Sequence, residues 1–436
     1  MSVIDLGEVR AHEPAEHPVA EPLPLRGFRR AAVAVVAIAC ALTLGAAAPV
    51  PPPLVRDVWS TAGPRDGAML IGTDTVYLTG SQGEITAHDL ATGTVRWSRT
   101  LDAGGGPSEE VAGLLLVLGS LKTVMLTGED QSSTLMWSDG VIMLDPATGA
   151  ERWRGPGDQL ASTPDTMLLA DRGDDGEARA MRLVTTRTGD VLWTRPLARA
   201  ADAQIQYDDG RPARIVTTAP DEINIYRYAD GAPLAHRGFT WTDDTRPESA
   251  RATIAGDRLV VTWTDRRGST VTAFRPDDLD TPLWSLRTLR YALVTPCGPV
   301  VCLAEGAEVS GLDPATGASR WQLPGPAGIN VAGTGRLLAY TDRDPPSETL
   351  VDATTGRVLG DSAVGWQMNR TDPAARILLR AGRDDPDQVV ISRMDLETGR
   401  VAVLGTVGSA EWHDCGSTAR FLVCRRGDRV VVTAIG

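Results

Sequence analysis

The sequence predicts an all-β chain: a β-propeller preceded by one membrane-spanning helix. Three observations carry that expectation. A twelve-residue stretch recurs, as Thr86–Trp97, Ile142–Trp153 and Ser310–Trp321, each with an apolar strand end, Asp-x-x-Thr-Gly and a Trp eight residues after the Asp. The copies are spaced about 38 to 56 residues apart, the period of a four-stranded propeller blade. Ahead of them runs a twenty-residue stretch without a charge, Ala31–Val50.

Residues 1–30 read as a disordered cytoplasmic tail. Pro14, Pro18, Pro22 and Pro24 interrupt any helix, and five acidic residues add charge with little to bury. Residues 31–53 read as a transmembrane signal anchor. Twenty helical residues rise about 30 Å, one hydrocarbon thickness. Pro49, Pro51, Pro52 and Pro53 end the helix, and Arg26, Arg29 and Arg30 before it favour a cytoplasmic N-terminus. The expected location is therefore the cell membrane, single-pass, with the propeller extracellular. Two other readings are a signal peptide cleaved near Ala46–Ala48 and a lipoprotein modified at Cys40.

Residues 54–436 read as the propeller. Clear copies of the turn stand at Asp89–Gly93, Asp145–Gly149, Asp313–Gly317, Asp352–Gly356 and Asp395–Gly399, with Trp97, Trp153 and Trp321 following the first three. A copy without its Asp ends at Gly189 and Trp193. Two worn copies remain, Tyr226–Gly231 and Phe274–Asp278 with Trp284. The chemistry is that of a hairpin turn: Asp accepts a backbone N–H two residues on, and Gly supplies a positive φ. The Trp falls on an outer strand, where a flat ring fills the gap between blades. The C-terminus stops before an outer strand, and Leu54–Ser60 resembles one. Pairing the two ends closes the ring and leaves no open edge. Eight anchors and this composite give at most nine units. We expect eight blades, with seven and nine as the alternatives.

The frame resembles the PQQ-like (quinoprotein alcohol dehydrogenase-like) propeller repeat, of the membrane-anchored type found in actinobacteria. Lys122 as the sole lysine fits a GC-rich genome. The superfamily holds quinone-dependent dehydrogenases and also non-enzymatic members, among them the lipoprotein subunit of the outer-membrane β-barrel assembly machine. The quinone enzymes hold their cofactor with a disulfide of adjacent cysteines, and no Cys-Cys dipeptide occurs here. The resemblance thus implies the fold and not quinone chemistry.

Four cysteines of the propeller fall into two close pairs, Cys297 with Cys302 and Cys415 with Cys424. A two-residue hairpin turn would set the members of each pair directly opposite one another, within bridging distance. Two disulfides are expected, in keeping with an extracytoplasmic domain. Free buried thiols and a four-thiolate metal site are the alternatives.

Chemistry is harder to find. The net charge of −13 argues against nucleic acid as a partner, although a local basic patch is compatible with it. His88, His236 and His413 share no local motif. Asp171–Glu177 reads as a solvated turn and not a calcium loop. The sequence assigns no catalytic, cofactor-binding or metal site, and no cofactor. The longest spacing, Asp89 to Asp145, holds extra residues that include Met136 and Trp137, which would either contact a partner or pack in a strand. A ligand site would be expected at the central channel mouth. The expected function is a non-catalytic protein-binding or scaffold module with a protein partner, tied to the membrane through one helix. An enzyme with a site in the channel, quinoprotein-type or other, and a receptor coupled through the tail are the competing readings.

Overall fold

The computed structural model describes residues 55–436 except 64–66, 81, 103, 128–131, 201, 209, 243–245, 342, 344–345, 368, 371–373, 384, 386 and 409–413. The predicted tail and membrane span, 1–53, lie outside the described residues. Among the described residues no helix is long and apolar enough to cross a membrane.

Short apolar runs bounded by glycine turns form strands, and the strands assemble into nine antiparallel sheets of propeller type. Blade 1 contains Met69–Ile71, Thr75–Thr79, Glu84–Asp89 and Val95–Thr100, from the innermost strand outward. Blades 2 to 8 span 107–156, 158–200, 202–238, 249–288, 292–324, 328–364 and 366–408. Burial follows position. The second strand of blade 1 is buried at all five residues, because neighbouring blades cover both its faces. Its outer strand buries only Trp97.

Blade 9 is made from both ends of the described chain. Cys415–Ser417, Phe421–Arg426 and Arg429–Ala434 are completed by Arg56–Ala62, which pairs antiparallel with the last of them. Asp57 fastens this joint, accepting from Thr433 Oγ1 at 2.6 Å and pairing with Arg426 at 2.9 Å. Blade 8 adds a short parallel bridge, Asn369–Arg370 against Gly416–Ser417.

The blade number is nine, one more than the expected eight. Both worn copies lie between the third and fourth strands of full blades, 4 and 5, which keep four strands although the motif residues drifted. Nine clusters of buried apolar side chains match the nine neighbour pairs among the described residues. Tyr77, Ile85 and Trp97 of blade 1, for example, meet Leu115 and Leu144 of blade 2.

Each recurring turn serves the blade before it. Asp89 Oδ1 accepts the N–H of Ala91 and of Thr92, and Gly93 takes φ +76°. The second carboxylate oxygen pairs with Arg96 at 2.7 Å. Trp59 from blade 9 then lies on Gly93 and donates its indole N–H to Leu90 O at 2.9 Å. The same joint repeats where Trp97 meets Gly149, Trp153 meets Gly189, Trp193 meets Gly231, Trp284 meets Gly317 and Trp321 meets Gly356. A Cβ at Gly189 would come within 2.7 Å of the Trp153 ring, so this glycine is required twice, for its backbone and for its missing side chain.

Both cysteine pairs are disulfides. Cys415 and Cys424 stand directly opposite, with Cα atoms 4.1 Å apart. Cys297 and Cys302 do not. Gly298 takes φ +70° and starts the turn one residue earlier, so Cys297 faces Val300 and Cys302 faces Thr295. The bridge runs diagonally, with Cα atoms 5.8 Å apart.

Strand direction alternates, so the two ends of the propeller differ. One end, the linker face, carries the connections between blades and the hairpins between second and third strands. The other, the turn face, carries the Asp-x-x-Thr-Gly turns. The extra residues of blade 2 form a hairpin, Leu121–Thr127 with Ser132–Ser138, between its second and third strands and hence on the linker face. Trp137 is buried, and its ring faces Gly176 of blade 3 together with Leu135. Met136 is 61% exposed.

Two predictions follow from the blade joints. Trp153→Ala should lower the unfolding free energy by about 2–4 kcal/mol, below the cost of removing a fully buried Trp because Trp153 is half-buried. Gly189→Ala should also destabilise, although it adds only a methyl group. Urea unfolding of each variant checks this. The carboxyls of Asp89 and Asp313 are held down to about 2, chiefly by Arg96 and Arg320. Asp145 is lowered by Arg152, and Asp352 and Asp395 by Thr355 and Thr398. A lowered folded value stabilises above the ordinary carboxylate range and loses that contribution as protons return. The Tm should therefore fall as pH drops from about 4 to about 2, and Asp89→Asn should flatten that fall.

Candidate functional site

Six of the nine seams carry the Trp-on-Gly joint; three do not. At the seam of blades 7 and 8, Gly360 stands where the Trp would be, and the backbones close up: a Cβ at Gly399 would lie 2.9 Å from Gly360 Cα. At the seam of blades 8 and 9, Arg393 donates to Ala419 O at 2.7 Å and to Ile435 O at 3.3 Å. The seam of blades 4 and 5 departs furthest. Ala235 pairs with Ile225, the register at which Trp193 pairs with Leu183 in blade 3. Two residues later Arg237 donates to Leu279 O, replacing the indole donor with a guanidinium.

A slim charged rod does not fill the space of an indole, and aromatic rings gather around it. The Arg237 guanidinium lies 4.9 Å from the Phe239 ring centre and 5.2 Å from that of Phe274. Phe239 stacks on Trp241 at 5.8 Å and meets Trp263 edge-on at 4.9 Å. Trp241 is fixed by donating to Pro220 O at 2.9 Å. Trp263 is 5% exposed, and its Nε1 has no hydrogen-bond partner among the described residues. These residues line a cavity of about 680 Å³. Its lining comes from the outer strand of blade 4, the linker after it and the three outer strands of blade 5, so it lies on the outer side of this seam and not in the channel.

The polar rim is mostly basic. Arg287 bonds Asp265 at 2.7 Å and Thr270 at 2.8 Å, and the carboxyl of Asp265 is held below its usual range chiefly by Arg287. Asp265 also accepts the backbone N–H of Arg267 at 2.7 Å. The Arg267 side chain is exposed at the rim. Beside it, Leu289 is 86% exposed. Gly268 permits this neighbourhood, since a Cβ there would strike Thr288 O and the Leu289 backbone.

The channel wall carries a second cavity, of about 640 Å³, bordered by Gln206, Tyr207, Arg251, Thr253 and Pro296 of blades 4 to 6. Two inner-strand carboxylates of blade 2 are engaged by neighbours: Glu110 accepts from Tyr77 at 2.7 Å and from Thr73 N at 3.1 Å, and Glu109 from Gln159 at 2.9 Å. His88 lies against Trp59, and its Nδ1 is 3.1 Å from Gly93 O; His236 bonds Asn224; His413 lies outside the described residues. In the 171–177 stretch Asp171 pairs with Arg182, Asp174 with Lys122 and Asp175 with Arg179. Among the described residues no group of three His, Cys, Asp or Glu side chains is placed to hold a metal. The pocket between blades 4 and 5 was not anticipated from the sequence. Its one signal was the worn repeat at Tyr226–Gly231, which lacks a Trp where the frame places one.

The family model described as outer membrane protein assembly factor BamB matches residues 56–119 and 138–333; the gap between them covers the hairpin insertion of blade 2. No curated protein matches. Among solved structures, one titled as a eukaryotic initiation factor is 12% identical, with a TM-score of 0.52, covering 81% of this chain and 90% of its own. BamB from Moraxella catarrhalis is 15% identical, with a TM-score of 0.42, covering 66% of this chain and 97% of its own. The dihydro-heme d1 dehydrogenase NirN is 14% identical, with a TM-score of 0.42, covering 68% and 66%. At these identities the initiation-factor likeness shows the fold alone.

Arg237 should be the keystone of this seam. Arg237→Ala removes a charged hydrogen bond and two ring contacts, so we expect a loss of about 2–3 kcal/mol in unfolding free energy. The mild exposed substitution Leu289→Ser should leave stability within about 0.5 kcal/mol. Parallel urea titrations of the two variants check both values.

Proposed function

The chain belongs to the family described as outer membrane protein assembly factor BamB, and on that premise we propose that it is a membrane-anchored, extracytoplasmic propeller that binds and scaffolds protein without chemistry of its own. The observation that carries this reading is the set of large apolar side chains left in solvent on the linker face. Met136 on the inserted hairpin is 61% exposed, and Leu289 and Tyr291 on the linker between blades 5 and 6 are 86% and 54% exposed. Exposed Met and aromatic residues beside arginines are the composition of the buried centre of protein interfaces. Three supports stand beside it. The family description names an assembly factor. The two disulfides suit an oxidising compartment. The uncharged stretch Ala31–Val50, flanked by Arg26, Arg29 and Arg30, suits an anchor with the propeller outside.

Cross-linking of the full chain in its membrane, followed by extraction, capture and mass spectrometry, tests the reading. We expect a reproducible protein partner that is displaced by the propeller alone, residues 54–436. Capture of no displaceable protein would overturn it.

A further inference from the structure

We propose that the pocket between blades 4 and 5 is where the partner docks, and that what it takes is an acidic peptide segment carrying one large aromatic or aliphatic side chain. This rests on the protein-binding reading above and names the site and the chemistry of its occupant.

The apolar half of the argument is the cavity. Trp263 and Phe274 are buried and half-buried Phe239 and Trp241 complete the aromatic wall, around about 680 Å³ of space. A side chain the size of Phe, Trp or Leu fills only part of that volume, which leaves room for the backbone that carries it. Aromatic walls of this kind are where interface anchors gain most, because the ring contacts add to the area buried. The Trp263 ring lines the same cavity, and its indole N–H is buried and unpaired among the described residues.

The charged half is the rim. Arg237, Arg267 and Arg287 line the pocket against one carboxylate, Asp265, and that carboxylate is already bonded to Arg287. Arg290 follows Leu289 on the same linker, its guanidinium resting over Gly306. This is a locally basic site on a chain with a net charge of −13. Arginines at a rim select acidic partners and speed their encounter. An acidic segment is also the one that the rest of this surface repels, so the pocket is the place where such a segment settles.

The test uses the full chain in detergent and a fluorescein-labelled, capped peptide, Glu-Asp-Trp-Glu-Asp, read by fluorescence anisotropy. Saturable binding is expected, weakening as salt is raised. The neutral peptide Gln-Asn-Trp-Gln-Asn and the Trp→Ala peptide should each bind about tenfold more weakly. The chain variants Arg267→Glu and Leu289→Ser change exposed side chains only; their melting curves should match the parent, and Arg267→Glu should weaken the acidic peptide about tenfold or more. Equal binding to the parent and to Arg267→Glu would overturn the proposal. So would indole-3-acetate binding as tightly as the peptide with the same Arg267 dependence, which would make the pocket a small-molecule site. The membrane capture, repeated with the Arg267→Glu/Leu289→Ser chain, separates the two levels. Loss of a partner that the parent captures supports the site. Retention of that partner overturns the site and leaves the protein-binding reading standing, whereas failure of the parent to capture any partner overturns the reading itself.

Discussion

The structure depends on a contact between one ring and one glycine. A Trp on the outer strand of each regular blade lies flat on the Gly of the next blade's turn and donates its N–H to a carbonyl of that turn. Neither half works alone. The ring needs a turn with no Cβ beneath it, and the turn needs a neighbour to close over it. The contact is directional, each blade offering a ring forward and a glycine backward. A chain of such contacts ends with one unused ring and one unused glycine unless its ends meet. Trp59, on the strand nearest the N-terminus among those described, supplies the ring for the glycine of blade 1, and the strand that carries it completes blade 9. Ring closure and blade packing are therefore one constraint.

That constraint explains what could be read from the sequence. The turn is local: Asp, Thr and Gly lie within five residues, and their hydrogen bonds run between neighbours in the chain. Local chemistry repeats visibly, so the fold class and the clear copies could be read directly. The blade number turned on the two worn copies, where the motif letters had changed while each copy kept one half of the contact. Gly231 still receives Trp193, and Trp284 still covers Gly317. Counting both worn copies as blades beside the six other anchors and the composite of the two ends gives nine. The bridge between Cys297 and Cys302 shows the opposite limit. Its spacing fits a hairpin with the two cysteines opposed, but Gly298 supplies the positive φ and shifts the turn by one residue.

The candidate site was less legible because it is built from an omission. Apart from the worn copy Phe274–Asp278 with Trp284, no residue between Arg237 and Leu289 belongs to a motif. Phe239, Trp241, Trp263 and Phe274 come together only because blades 4 and 5 face each other, and each alone reads as an ordinary strand or linker aromatic. Ala235, in the register of the missing Trp, was the one available clue, and its meaning depends on knowing what that register does elsewhere.

The three seams without a Trp show why the omission at blades 4 and 5 matters. Where Gly360 replaces the ring, two backbones move together and the lost volume disappears. At blades 8 and 9, Arg393 spans to two carbonyls of the last blade. Between blades 4 and 5 neither remedy applies. Arg237 keeps the hydrogen bond but not the bulk, and four aromatic rings stand around it without closing the gap. An aromatic-walled opening in contact with solvent is costly to maintain, because apolar area left wet contributes nothing to folding. Covering that wall is favourable for any chain with the right side chain, and the arginines at its rim decide which chain that is.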